Sequence, residues 1–203
     1  MKVCDILSKK GSDILINISA SPFHVGKLQE RLNLIKLKSK KLNCPFIYCN
    51  LVGAQDELVF DGASFCLSHE GKLSVQLKDF QEEVLEINLT KLDNNWICKG
   101  KINSISSNLE ALYKSLVVSV RDYVQNNGFP GVVLGMSGGI DSALVAAIAT
   151  DALGPKLVRA VMMPSPYTSQ ESLEDAKSAS SNLGVCLLYT SPSPRDQRGS
   201  GMP

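Results

Sequence analysis

The stretch Val132-Val-Leu-Gly-Met-Ser-Gly-Gly-Ile-Asp-Ser-Ala143 is where residue types and spacing point most directly to chemistry, and that chemistry is the holding of an anion. Gly138 and Gly139 can adopt positive φ and let backbone N–H groups approach a phosphate with no Cβ in the way. A helix starting near Asp141 would aim its free N–H groups and the positive end of its dipole at the same spot. Ser137 and Ser142 add hydroxyl donors. A bare phosphate would repel Asp141, so the useful role for that carboxylate is to hold Mg²⁺ beside the phosphates. Gly135, Met136, Ser137, Gly138, Gly139, Ile140, Asp141 and Ser142 are therefore the candidate phosphate-binding residues, with Asp141 the candidate metal ligand. The loop has no Walker lysine and does not fit Gly-x-Gly-x-x-Gly.

Such a loop needs a strand before it and a helix after it. Val132–Leu134 reads as that strand and Ala143–Leu153, rich in alanine, as that helix. Leu157–Met162 reads as a further strand, and Ser169 as the cap of a helix running to Leu183. Upstream, Leu109, Leu112, Leu116, Val120 and Val124 recur at helical spacing over 108–127, and Asn127-Gly128 stops that helix. An earlier unit opens with an Ile-rich strand over 13–19. A helix over 27–42 follows, with Leu28, Arg31, Leu32, Ile35 and Leu42 on one face, then a strand over 46–50. Short links between these three predict parallel pairing. The segments 57–60, 64–67, 73–77 and 84–89 read as antiparallel hairpin strands, and the polar run 91–107 as a connection between units.

Composition narrows the partners. The formal net charge of the 203 residues is +1, with no basic stripe, so the expectation is a protein of small-molecule substrates that binds neither nucleic acid nor membrane. No apolar run is long enough to cross a bilayer, and Met-Lys-Val-Cys-Asp lacks the apolar core of a signal peptide. Six cysteines, at 4, 44, 49, 66, 98 and 186, form no Cys-x-x-Cys pair, and only His24 and His69 could join them. Free thiols in a reducing cytoplasm are the expectation, rather than a zinc site.

The loop Ser137-Gly-Gly-Ile-Asp-Ser142 resembles the Ser-Gly-Gly-x-Asp-Ser signature of the ATP pyrophosphatases, which cleave ATP between its α- and β-phosphates and adenylate a substrate. Val161-Met-Met-Pro-Ser-Pro-Tyr-Thr-Ser169, followed by Glu171-Ser-Leu-Glu-Asp-Ala176, resembles the segment after the second strand in NAD synthetases. That likeness implies a nucleotide-contacting role for Thr168 and Ser169. Residues 13–71 resemble the C-terminal half of a nitrilase-type amidase domain, through Ser19-Ala-Ser-Pro-Phe-His24, Asn50 and Gly53-Ala-Gln-Asp-Glu-Leu-Val-Phe-Asp-Gly62. Together these marks resemble the glutamine-dependent NAD synthetases.

The resemblance implies an α/β chain holding the C-terminal part of a nitrilase-like α-β-β-α sandwich (residues 1–100). The start of a Rossmann-like parallel-sheet domain of the adenine nucleotide alpha-hydrolase type (101–185) would follow. It implies ATP, Mg²⁺, deamido-NAD and glutamine as ligands, glutamine binding at Ser21 and Lys27, and a homo-oligomeric, cytoplasmic parent. The family's Glu–Lys–Cys glutaminase triad lies before the strand that begins here at Asp13. Cys4 echoes its nucleophile but stands too near that strand, within the helix that should precede it. The deamido-NAD contacts and a second metal ligand are expected after residue 185.

The run Cys186-Leu-Leu-Tyr-Thr-Ser-Pro-Ser-Pro-Arg-Asp196 resembles the in-frame translation of a transposase-based sequencing-library adapter, so 186–203 is expected to be adapter-derived or a disordered Ser/Pro-rich tail. Two other readings fit the residues. One is a different ATP pyrophosphatase, related to GMP or asparagine synthetases, which the 55–62 and 163–169 runs oppose. The other is a non-catalytic nucleotide-binding fragment.

Overall fold

Alternating burial along Leu15–Ser19 and Phe46–Asn50 makes these two segments strands with one face on a core, and they pair in parallel from Leu15↔Phe46 to Ser19↔Asn50. The computed structural model describes residues 2–92, 95–165 and 167–190 and divides into two units, Met1–Ser119 and Val120–Pro203.

In the first unit, helix α1 (Lys2–Lys9) precedes strand β1 (Leu15–Ser19), helix α2 (Lys27–Leu42) and strand β2 (Phe46–Asn50). The expected strand–helix–strand arrangement and its parallel pairing are present. Leu28, Leu32 and Leu42 of α2 pack on a core of Leu15, Ile35, Cys44, Phe46, Tyr48, Phe65 and Leu67. Asn43 ends α2 in the left-handed region (φ 48), which a short polar side chain tolerates. Cys4 lies inside α1, as expected, and packs against this same core.

Strands β3 (Val52–Gln55) and β4 (Leu58–Asp61) form a hairpin, while β5 (Phe65–Leu67) and β6 (Leu73–Gln76) extend the main sheet to the order β1-β2-β5-β6. Two expectations fail here. Residues 84–87 form no strand, and Val84 is fully exposed. The stretch read as a connection instead carries a hairpin of β7 (Asn88–Leu92) and β8 (Asn95–Lys99). Every residue of β7 is exposed, so the strand lacks the apolar alternation that betrays a half-buried one. Cys98 of β8 is buried beside Cys66 and Val75.

Helix α3 (Asn108–Asn126) runs across the boundary between the units. Its sequence-predicted apolar face is only partly used: Val118 and Val124 are buried, whereas Leu109, Leu112 and Leu116 are exposed. In the second unit, β9 (Val132–Gly135), α4 (Ile140–Leu153), β10 (Val158–Met162), α5 (Gln170–Leu183) and β11 (Cys186–Tyr189) alternate strand and helix. The sheet is parallel, in the order β11-β10-β9. Its core joins Met136, Ala146, Ala149, Val158, Ala160, Met162, Ala176 and Val185. Alanines at 146 and 176, both wholly buried, supply the small side chains at this shared core.

Strand β11 corrects the expectation of disorder from residue 186. Cys186–Tyr189 pairs with Arg159–Met162, Leu187 packs on the core, and Thr190 N–H donates to Met162 O at 3.1 Å. A short apolar run beside an open parallel strand satisfies the ladder whatever its origin. Residues 191–203, the rest of the expected tail, lie outside the described residues.

Two expected outcomes arise from this fold. Ser169 is the N-cap of α5, its side chain accepting from Ser172 N–H at 3.2 Å. Ser169→Ala should lower stability by about 1 kcal/mol in urea unfolding. Among the described cysteines, Cys49 and Cys186 are exposed and should label rapidly with a thiol reagent, whereas Cys44, Cys66 and Cys98 should label only as denaturant opens the fold. Burial, helped by the neighbouring Cys98 thiol, pushes the Cys66 thiol up. The unfolded thiol then ionises first. Its contribution to stability is complete below roughly pH 8.5 and is lost as pH rises above that. Urea midpoints taken at increasing alkaline pH should fall, and a Cys66→Ala variant should fall less steeply.

Among the described residues, no helix is long and apolar enough to cross a membrane. No group of three or more metal-ligating side chains occurs among them either.

Candidate active site

Strand β9 ends at Gly135, and Met136 turns inward, 2% exposed, with its N–H donating to Val161 O at 2.9 Å. The next residues leave the sheet and build a tight loop from their own side chains. Ser137 N–H donates to Ser142 Oγ at 3.2 Å, the two hydroxyls lie 3.1 Å apart, and Gly139 N–H donates to Ser137 Oγ at 3.2 Å. Ser142 Oγ also donates to Gly139 O at 2.8 Å. The first helical hydrogen bond of α4 is Ala143 N–H to Gly139 O. The N–H groups of Ile140, Asp141 and Ser142 therefore stand at the helix end with no intrahelical acceptor. Ser137, Gly139, Ile140 and Asp141 are exposed, so this end of the helix faces out of the fold.

The two loop glycines differ. Gly138 has φ +84, and a Cβ there would overlap the Ser172 carbonyl oxygen and sit 2.9 Å from Ser172 Cα. Gly139 has an extended backbone (φ −81, ψ 159), and a Cβ on it would meet only Ser137 Oγ, at 3.4 Å. Gly138 is thus the contact that brings the first turn of α5 against the loop, a role for Ser172 that its sequence context did not announce.

Thr168 and Ser169 lie at the entry to α5. Thr168 Oγ1 accepts from Ser165 N–H at 2.8 Å, which closes the turn, while Ser169 is occupied as the cap. Because Ser172 meets Gly138, this turn and the glycine loop are neighbours, with the N-termini of α4 and α5 both close to Gly138.

In the first unit, Ser21 follows β1 and Lys27 opens α2, behind Gly26 at φ 86. Lys27 Nζ lies 3.3 Å from Glu30 Oε2, which His24 Nε2 approaches at 3.6 Å. Lys27 lines a cleft of about 340 Å³ together with His24, Gln29, Asp61, Asp79 and Asn103. Ser21 is not part of that lining, so the two expected glutamine residues are near in sequence but do not share this cleft.

Below Ser21 is a buried network. Arg31 and Asp61, 5% and 3% exposed, form a two-pronged ion pair, Nη1 to Oδ1 at 2.9 Å and Nη2 to Oδ2 at 2.5 Å. Arg31 also lies over the Tyr48 ring. Sequence reading placed Arg31 on an apolar helix face and Asp61 in a turn without linking them. An arginine at a buried helix position was the available signal, since such a charge requires a partner.

Residues 2–93 match the carbon-nitrogen hydrolase family and residues 112–192 the NAD synthase family. The second match runs across β11. A glutamine-dependent NAD(+) synthetase from Acinetobacter baylyi is 45% identical over 88% of this chain, and one from Aquifex aeolicus is 40% identical over 86% of it. The structure of a glutamine-dependent NAD+ synthetase from Acinetobacter baumannii, in complex with adenosine diphosphate, superposes with a TM-score of 0.87. It is 38% identical over 93% of this chain and 36% of its own. This chain spans about a third of the length of these relatives, 33% and 36% of the two curated ones.

Proposed function

We propose a function from the family to which this chain belongs, the glutamine-dependent NAD(+) synthetases, of which it carries a carbon-nitrogen hydrolase part and an NAD synthase part. The full-length protein makes NAD from deamido-NAD. ATP adenylates the substrate carboxylate and releases pyrophosphate, and ammonia from glutamine then displaces AMP. The observation that carries this reading is the loop of Gly135, Met136, Ser137, Gly138, Gly139, Ile140, Asp141 and Ser142, which presents the free N–H groups of α4 at an exposed surface. These N–H groups suit the ATP phosphates, where charge leaves with pyrophosphate. Mg²⁺ is commonly held by one or two carboxylates together with substrate phosphates, and the exposed Asp141 carboxylate beside the loop fits that donor set. When bound, Mg²⁺ would neutralise charge on the departing pyrophosphate.

Thr168 and Ser169, beside the loop, are the proposed nucleotide contacts, and Ser21 and Lys27 the proposed glutamine contacts. Lys27 suits the α-carboxylate of glutamine, an ammonium at a helix start beside a cleft. Cys4, packed within α1 against the core, has no catalytic role in this reading.

The experiment is to assay the full-length protein with deamido-NAD, ATP and Mg²⁺, supplying either glutamine or ammonium. NAD and pyrophosphate should form in equal amounts from both nitrogen sources. Asp141→Asn should lower both rates at least about tenfold, a loss of one transition-state charge contact. Pyrophosphate release without NAD, or with another acceptor, overturns the reading. Residues 1–203 expressed alone are expected to form no NAD. The origin of 186–203 can be tested by re-reading the source DNA over codons 150–203. A frame that continues past Val185 into further synthetase sequence supports an adapter, and a genome encoding Cys186–Pro203 overturns it.

A further inference from the structure

The parallel ladder of β1 and β2 ends at Ser19↔Asn50, with Leu51 N–H still reaching Ser19 O at 2.9 Å. Beyond that point the backbones separate, and a side chain takes over. Asn50 Oδ1 accepts from Ser21 N–H at 2.9 Å, and Asn50 Nδ2 donates to Ser21 O at 3.4 Å, so its amide mimics one more strand residue. The amide is itself fixed. Nδ2 also donates to Asp61 Oδ1 at 3.3 Å, and the Asn50 backbone N–H donates to Ser64 Oγ at 3.0 Å. Arg31 Nη1, held by Asp61, reaches the same Ser21 carbonyl at 3.4 Å. These hydrogen bonds all fall on the backbone N–H and carbonyl of Ser21, so they fix its main chain without engaging its hydroxyl.

We propose that Asn50 is a positioning residue for glutamine. It clamps the Ser21 peptide at the carboxyl ends of two parallel strands, with the buried Arg31–Asp61 pair holding the clamp, so that the Ser21 hydroxyl is set for substrate before substrate arrives. The proposal rests on the reading of Ser21 as a glutamine contact. Open α/β sheets bind ligands beyond the carboxyl ends of their strands, and a site held by a supporting hydrogen-bond layer needs no reorganisation on binding. A residue that only orients the binding group acts on ground state and transition state alike, so its loss appears in KM rather than kcat.

The test uses the full-length protein with Asn50→Ala, Asn50→Asp and Ser21→Ala, each assayed with glutamine and, separately, with ammonium. Asn50→Asp keeps the shape and the acceptor for Ser21 N–H. It removes the donor to Ser21 O and sets a second carboxylate against Asp61. Both Asn50 variants should raise KM for glutamine at least tenfold with kcat changed less than threefold, and ammonium-driven synthesis should be unchanged. Ser21→Ala should raise the same KM. If Ser21→Ala raises KM and the Asn50 variants do not, the clamp is wrong while the glutamine reading stands. If Ser21→Ala leaves KM unchanged, the glutamine reading fails and the clamp falls with it. A fall in kcat at constant KM in Asn50→Asp would mark a merely structural role. Should Asn50→Ala fail to fold, the isosteric Asn50→Asp decides alone.

Discussion

Gly138→Ala should cost the full-length protein at least tenfold in ATP affinity and several degrees in the melting of its synthetase part, whereas Gly139→Ala should leave the melting temperature within a degree or two of wild type. The two glycines are adjacent, and a motif-level view treats them as equals. Their surroundings do not. At Gly138, φ of +84 alone disfavours an L-residue by about 1–2 kcal/mol. The added methyl would also overlap the Ser172 carbonyl oxygen, and backbone at a helix entry cannot swing aside as a flexible side chain would. Either the loop shifts or the first turn of α5 does, and the total cost should reach about 2–4 kcal/mol. A shift in the loop moves the N–H groups of α4 relative to the phosphates, so binding and folding fail together. Gly139 has ordinary extended dihedrals and a 3.4 Å contact to the Ser137 hydroxyl, which rotates easily. Its methyl would lie on the exposed side, so any effect of Gly139→Ala belongs to ligand binding. Differential scanning calorimetry with and without ATP separates the two. Equal melting temperatures for the two variants would show that Ser172 does not buttress the loop.

The same pair shows how far sequence alone reaches. The glycine loop was legible because strand, turn and helix start are local: Val132–Leu134, Gly138 and Ser142 announce themselves within a few residues. Helix α2 was legible to the residue, since Leu28, Leu32 and Ile35 recur at 3.6-residue spacing and Asn43-Cys-Pro45 stops it. The onset of α4, expected near Asp141 ahead of the alanine-rich run from Ala143, lies at Ile140, one residue earlier. The β7–β8 hairpin was missed because its first strand is exposed along its whole length. What could not be read was pairing at long range. Arg31 and Asp61 are thirty residues apart, Gly138 and Ser172 thirty-four, and neither residue's type names its partner. The supporting layers of both candidate sites are of this kind, so sequence displayed the groups that would touch ligand and concealed those that hold them.

Breaking the Arg31–Asp61 pair should be the largest single-residue loss in the first unit. Both side chains are within a few per cent of complete burial, so removing one leaves its opposite charge in a medium that cannot solvate it. Asp61→Ala and Arg31→Ala should each cost about 3–5 kcal/mol in urea unfolding. The Arg31→Met, Asp61→Leu double variant should recover much of the loss, because no orphaned charge remains and two apolar side chains refill the space. It should not recover all of it. Asn50 Nδ2 would lose its Asp61 acceptor and the Ser21 carbonyl its second donor, so about 1–2 kcal/mol of unpaired polar groups persists. The same orphaning should loosen the Ser21 peptide. In the full-length protein the double variant is therefore expected to combine near-native melting with a raised KM for glutamine, while synthesis from ammonium continues at the wild-type rate. A double variant as unstable as either single variant would mean that the pair is valued for geometry no apolar side chain reproduces. A stable double variant with unchanged KM would mean that the ion pair serves the fold and leaves the glutamine site to Asn50 alone.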